Sequence, residues 1–238
     1  MIISQYFGGL STMSKPQLYL VPFAGGSSYS FKHILPMLEK DFEVHAWDGP
    51  GKGVNSDQPK NKRFDDEVRA FADYVKAHNK GREYYAWGYS CGGLICYEAM
   101  RLIQSEGHPL PKRVFLSAVR PAAEFVTPDT GPLNDEKLLD ILVEMSGAGN
   151  KDALLERIDN TREDMELASD YRYRDTGKVN APASVMYADD DVVTASGVTN
   201  WENYFTGPVN YGEFHGKHFF YKYQPEKLVD FIIREAKE

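Results

Sequence analysis

Residues 84–100, YYAWGYSCGGLICYEAM, constrain this chain more than any other stretch. Tyr84-Tyr85-Ala86-Trp87 is aromatic and apolar and reads as a short buried strand. Leu94, Ile95, Tyr97, Ala99 and Leu102 recur at spacings that suit a helix buried on most sides. Between them stands Gly88-Tyr89-Ser90-Cys91-Gly92, a G-x-S-x-G pattern. Only a very sharp turn can join the two elements, and the glycines lie where a Cβ would jam helix against strand. Such a turn holds Ser90 in a strained conformation, with Oγ exposed above the sheet and the helix N-terminus beneath it. The dipole there favours the negative charge that develops in acyl transfer. The five-residue pattern alone is weak; the strand before it and the helix after it give it weight.

The rest of the chain alternates in the same way. Apolar runs predict strands over 17–21, 42–47, 114–118, 183–187 and 209–214. Helical spacing predicts helices over 29–38, 64–80 and 225–236, with another near 194–205. Alternation argues for an α/β architecture, a largely parallel sheet covered on both faces, with reactive groups at the carboxyl ends of the strands. At 238 residues the chain suits one domain, 1–238. About 60 residues between 118 and 183 break the alternation. They read as helices over 133–145, 151–158 and 162–173, a helical insertion spanning about 121–178 with glycines at 147 and 149 as hinges. A mobile lid over the serine is the expected role.

Composition removes several function classes. A formal charge of −8 argues against general nucleic-acid binding. No apolar run reaches membrane-spanning length. Residues 1–10 lack the basic start of a signal peptide, and Met13-Ser14-Lys15 reads as a second start, so residues 1–15 are expected to be a loose extension and the protein cytoplasmic. Cys91 and Cys96 make neither a disulfide framework nor a metal site. Cys91 reads as a small packing residue.

A serine hydroxyl needs a base to take its proton. In α/β-hydrolases the partners follow in the order serine, acid, histidine. His33, His45 and His78 precede Ser90 and are read as structural, and His108 sits in a turn with no acid in a suitable loop between it and Ser90, which leaves His215 and His218 beyond the last strand; position does not choose between them. The acid is expected in Asp189-Asp190-Asp191, after the strand ending at Tyr187, where again three candidates stand in a row. The oxyanion hole needs two backbone N–H groups. One is expected from Cys91 and the other from the loop Phe23-Ala24-Gly25-Gly26, whose glycines allow close approach to a ligand. Gly51-Lys52-Gly53 lacks the phosphate-loop pattern and reads as a turn.

Taken in order, these motifs resemble those of type II thioesterases, the stand-alone α/β-hydrolases that accompany nonribosomal peptide and polyketide synthases. Pro22-Phe23-Ala24-Gly25-Gly26 resembles the family's opening motif, Pro50-Gly51-Lys52-Gly53 its P-G-[RHK]-G turn, and Gly88–Gly93 its G-[HY]-S-M-G-[GA] elbow. Asp189-Asp190-Asp191-Val192-Val193-Thr194 resembles D-D-x-x-V-[ST], and Gly216-Lys217-His218-Phe219-Phe220 resembles G-[GD]-H-F-F. The resemblance runs from about residue 18 to the C-terminus. It implies an α/β-hydrolase fold with a helical lid, Ser90 as nucleophile, His218 as base, Asp190 as orienting acid, and Ala24 and Cys91 as oxyanion donors. Cys91 replaces a usual Met, Tyr187 a usual Gly, and the triple Asp blurs the alignment by one. The implied substrate is an acyl thioester on the phosphopantetheine of an acyl or peptidyl carrier protein domain. The implied role is editing of misprimed or stalled assembly lines, without metal or cofactor, by a monomer. Product release, and hydrolysis of small free esters, are the alternatives. An acidic carrier would need a local basic or apolar patch on this acidic chain, and none is visible in the sequence.

Overall fold

The computed structural model describes residues 14–125, 134–146 and 151–238. Six strands form one sheet: β1 (Gln17–Val21), β2 (Glu43–Ala46), β3 (Tyr84–Tyr89), β4 (Val114–Ser117), β5 (Ala183–Ala188) and β6 (Val209–Phe214). Their order is β2-β1-β3-β4-β5-β6, and every pairing among them is parallel. From β1 the chain steps outward to β2. It then returns to the other side of β1 and proceeds in one direction to β6. The strand order therefore reverses between β1 and β3, where the loops leaving their carboxyl ends diverge and open a crevice. The loop bearing Ala24 and the turn bearing Ser90 leave the sheet at that crevice.

Both faces of the sheet are covered, so its inner strands are apolar at nearly every position rather than at every second one, with Gln17, Ser117 and Ser184 the buried polar exceptions. On β1 the side chains still part by alternation. Tyr19 and Val21 enter one core with Val68, Phe71 and Val75 of α2 (Phe64–Asn79) and Leu94, Met100 and Ile103 of α3 (Cys91–Ser105). Leu18 and Leu20 enter the other with Leu38 of α1 (Leu35–Leu38) and Leu228, Val229 and Ile232 of α7 (Pro225–Ala236).

The strands and the helices α2 and α7 lie where the periodicity predicts them, to within a residue or two at their ends. Two predicted helices differ. Instead of one helix over 29–38 the chain makes a 3₁₀ turn, Ser28–Phe31, and then the single α-turn α1 with Pro36 at its start. Proline has no N–H to give and its ring clashes with the carbonyl four residues back, so it can begin a helix here but not continue one. Over 194–205 two 3₁₀ segments, Ala195–Gly197 and Thr199–Asn203, replace a helix.

Between β4 and β5 lies the helical insertion: α4 (Asp135–Ser146), α5 (Lys151–Leu155) and α6 (Ile158–Ser169). Leu138, Leu142, Ile158 and Met165 form a small core of its own. Burial of Ile158 there starts α6 four residues earlier than the spacing predicts. The expected hinge at 147–150 lies outside the described residues, as do residues 1–13 of the expected extension. Among the described residues no helix is long and apolar enough to cross a membrane.

Candidate active site

Ser90 sits between β3 and α3 with φ +54° and ψ −127°, a conformation L-residues rarely adopt. Packing leaves the backbone no alternative. A Cβ on Gly88 would overlap the Gly92 carbonyl and reach within 2.5 Å of the Gly93 Cα, so α3 could not start so close to β3. One on Gly92 would overlap the Pro22 carbonyl at the end of β1. The second glycine is thus required by the neighbouring strand, not by the turn's own. The Ser90 N–H donates to the Ser117 carbonyl at 2.7 Å, which ties the turn to β4.

Three side chains meet above the sheet. Ser90 Oγ lies 2.9 Å from His218 Nε2, and His218 Nδ1 lies 3.0 Å from both carboxylate oxygens of Asp191. Asp191 is 7% exposed and His218 3%. The histidine's peptide is clamped at both ends. Its carbonyl accepts from the buried Tyr89 hydroxyl at 2.6 Å, and its N–H donates to the Met145 carbonyl of α4 at 3.1 Å. Tyr223 adds a hydrogen bond to the Ser146 carbonyl. The last turn of α4 is therefore attached to the loop that carries His218.

Asp190, the acid implied by the resemblance, is not the carboxylate that faces His218. It is exposed, with its carboxylate 3.5 Å from Lys217 Nζ. Pairing with the β6 side continues past β5: the Asp189 N–H donates to Phe214 and the Asp190 N–H to Gly216. The turn of the chain is thereby delayed by one residue, so Asp190 faces solvent and Asp191 folds back over the sheet. Asp189 takes the other candidate histidine, His215 Nδ1 at 2.8 Å, on the surface. That pairing holds the Asp189 carboxyl below its usual range and the His215 imidazole above its own. His45 and His78 have structural partners, Glu43 and the Tyr74 carbonyl. His33 and His108 are exposed.

Ala24 and Cys91 both border the space in front of Ser90. In the Ala24 loop the Gly26 N–H donates to the Phe23 carbonyl at 2.8 Å. Lys52, read from the sequence as part of a turn, is instead a nearly buried cation. Its Nζ lies 2.9 Å from Asp164 of α6 and 3.1 Å from Glu67 of α2, both carboxylates being buried. Burial opposes its charge, but the two carboxylates prevail and raise the Lys52 pKa. No local pattern marks this cluster in the sequence, since its members come from three distant segments.

A family model, the thioesterase domain, matches residues 16–236. The chain belongs to the thioesterase family. Over 96% of its length this thioesterase is 21% identical to gramicidin S biosynthesis protein GrsT of Aneurinibacillus migulanus, covering 91% of that protein. It is 27% identical over 212 residues to the AMB antimetabolite synthetase AmbE of Pseudomonas aeruginosa, of which it spans only 10%. Among solved structures it resembles the type II thioesterase BorB from the borrelidin biosynthetic cluster, with 26% identity, a TM-score of 0.85 and 94% of each chain covered. The sheet and its helical insertion are those of an α/β-hydrolase.

In this thioesterase a cavity of about 590 Å³ opens in front of Ser90 and His218. The insertion lines it with Ile141, Leu142, Met145 and Met165, facing Phe125 and Val193. Its wall is mainly apolar, which suits an acyl chain, with Arg120, Glu124 and Glu144 also bordering it. Cys91 also borders it, but its thiolate is disfavoured. Burial, with the Asp164 carboxylate nearby, pushes its thiol up to about 12, and burial pushes the Cys96 thiol up as well. The folded protein is therefore expected to gain no adduct from iodoacetamide at mildly alkaline pH. Intact mass should show two adducts once it is denatured, one for each cysteine in the chain. Rapid single labelling of the folded protein would contradict this account of Cys91.

Proposed function

We propose that this protein is a type II, editing thioesterase that hydrolyses acyl groups from the phosphopantetheine arm of carrier protein domains, using Ser90, His218 and Asp191. The observation that carries this reading is the 2.9 Å contact between Ser90 Oγ and His218 Nε2 at the mouth of an apolar chamber, in a chain of the thioesterase family. The matches, over 91% of GrsT and 94% of BorB, favour an enzyme that serves a biosynthetic assembly line.

Ser90 Oγ attacks the thioester carbonyl while His218 Nε2 takes its proton. Asp191, accepting from Nδ1–H, fixes the tautomer and stabilises the imidazolium. The N–H groups of Cys91 and Ala24 are assigned to the oxyanion of the tetrahedral intermediate. The C–S bond breaks, the imidazolium returns its proton to the thiolate, and the acyl group remains as an ester on Ser90. Water then attacks that ester with His218 again as base, the bond between the acyl carbon and Ser90 Oγ breaks, the imidazolium returns its proton to Oγ, and the acid leaves. Each step balances with these groups and water alone.

The test is intact-protein mass spectrometry of an acetyl-phosphopantetheinyl carrier domain, with acetyl-pantetheine thioester run alongside. Loss of the acetyl mass from the carrier, much faster than from the free thioester and only while Ser90 is present, is the expected result. Equal rates, or hydrolysis of the free thioester alone, would replace this reading with a general small-molecule hydrolase.

A further inference from the structure

The oxyanion loop is held by the insertion as well as by the body of the enzyme. Gly25 has φ +72°, and its N–H donates to Asp164 Oδ2 of α6 at 2.7 Å. Asp164 Oδ1 meets Lys52 Nζ at 2.9 Å, so each carboxylate oxygen has one partner. Lys52 is in turn held by Glu67, which also accepts from Asn61 Nδ2 at 2.7 Å. Beside this bond Thr161 of α6 lies directly on Gly25, where a Cβ would overlap its side chain. The far end of the loop is held independently: Ser28 donates to Asp48 from both N and Oγ, at 2.6 and 2.8 Å.

A peptide unit is planar, so a carbonyl and the following N–H point in opposite directions and turn together. The bond from Gly26 N–H to the Phe23 carbonyl therefore sets the direction of the Ala24 N–H. The bond from Gly25 N–H to Asp164 sets the next plane. With both planes fixed, the Ala24 Cα has no soft dihedral left. The second plane is the middle of the turn that brings the Gly26 N–H to the Phe23 carbonyl, so with it released that turn can open and the Ala24 N–H swings with the first plane. We propose that Asp164 is a positioning residue for the oxyanion hole, so that seating α6 over the site is what completes the hole. Lys52 supports it by balancing its charge, which would otherwise oppose a nearby oxyanion. This inference rests on the assignment of Ala24 as a donor in the function proposed above.

The test uses p-nitrophenyl acetate, whose hydrolysis needs Ser90 and the hole but no carrier. A failure here is then separate from a failure of the carrier reading. Asp164→Ala leaves Lys52 with Glu67, so no lone buried charge results. Its kcat is expected to fall about tenfold to a hundredfold, short of the ~10²–10³ that outright loss of a donor costs. Affinity for an alkyl boronic acid, which forms a tetrahedral adduct on serine, falls in parallel. Affinity for a non-reactive thioether analogue of the acyl-pantetheine stays within about twofold, because ground-state binding does not use the hole. Asp164→Asn keeps an acceptor for Gly25 and recovers most of kcat. Asp164→Glu, which keeps the charge but displaces the acceptor, replaces the alanine variant if that one does not fold. A kcat within twofold of wild type in Asp164→Ala, or in Asp164→Glu where it stands in, would overturn the proposal. So would thioether and boronate affinities that fall together.

Discussion

Ser90→Ala is expected to reduce hydrolysis by on the order of 10⁶-fold, to the level supplied by binding and the oxyanion hole alone. Ser90 Oγ is the atom that faces His218 Nε2, and no other hydroxyl is hydrogen-bonded to that nitrogen among the described residues. The substitution removes this contact and leaves the backbone as it was, because alanine bears the same strain at φ +54°. Stability is therefore expected to change by less than ~1 kcal/mol. Ser90→Gly separates strain from chemistry. Glycine adopts a positive φ without a Cβ penalty, so that variant is expected to be equally inactive yet more stable by about 1 kcal/mol. Denaturant midpoints beside turnover of an acetyl-carrier thioester measure both effects. Appreciable turnover in Ser90→Ala would sink the assignment of the nucleophile. A less stable glycine variant would mean that the turn is not strained.

Much of this site is legible in the sequence because it is built locally. Residues 84–100 contain strand, turn and helix together, and the glycines at 88 and 92 mark the tightness of the turn. The sheet is legible for a related reason: strands buried on both faces are apolar at nearly every position, which polar loops cannot imitate. What distance in the chain controls is not legible. The choice between His215 and His218 depends on which one the β6 loop turns inward; spacing cannot decide it, although the family resemblance points to His218. Lys52 shows the limit most plainly. Between two glycines it reads as a solvated turn, yet Glu67 of α2 and Asp164 of α6 make it a nearly buried cation. Pro36 is the opposite case, since the break it imposes was written in the residue itself.

Asp191→Asn is expected to lower kcat by about 10⁴-fold, while Asp190→Asn and Asp189→Asn change it by no more than about twofold. The large effect follows from the tautomer. With a carboxylate at Nδ1, that nitrogen must carry the proton, and Nε2 is left free to accept from Ser90. An asparagine can present its NH₂ to Nδ1 and so favour the wrong tautomer, in which Nε2–H points at the serine. Burial enlarges the penalty. The Asp191 and His218 side chains are 1% and 4% exposed, so no water can replace the lost acceptor. The neighbouring carboxylates are different in kind. Asp190 faces Lys217 with its side chain 71% exposed, and a surface pair of that sort contributes little to stability and does not hold the His218 ring. Asp189 binds His215 and the Gly216 N–H at the rim, where its loss would loosen the turn without reaching Nδ1. Turnover of the three variants against one acyl thioester makes the comparison. A large loss at Asp190 with activity kept at Asp191 would restore the register implied by alignment. It would also mean that the β5–β6 ladder ends one residue earlier than the structure has it.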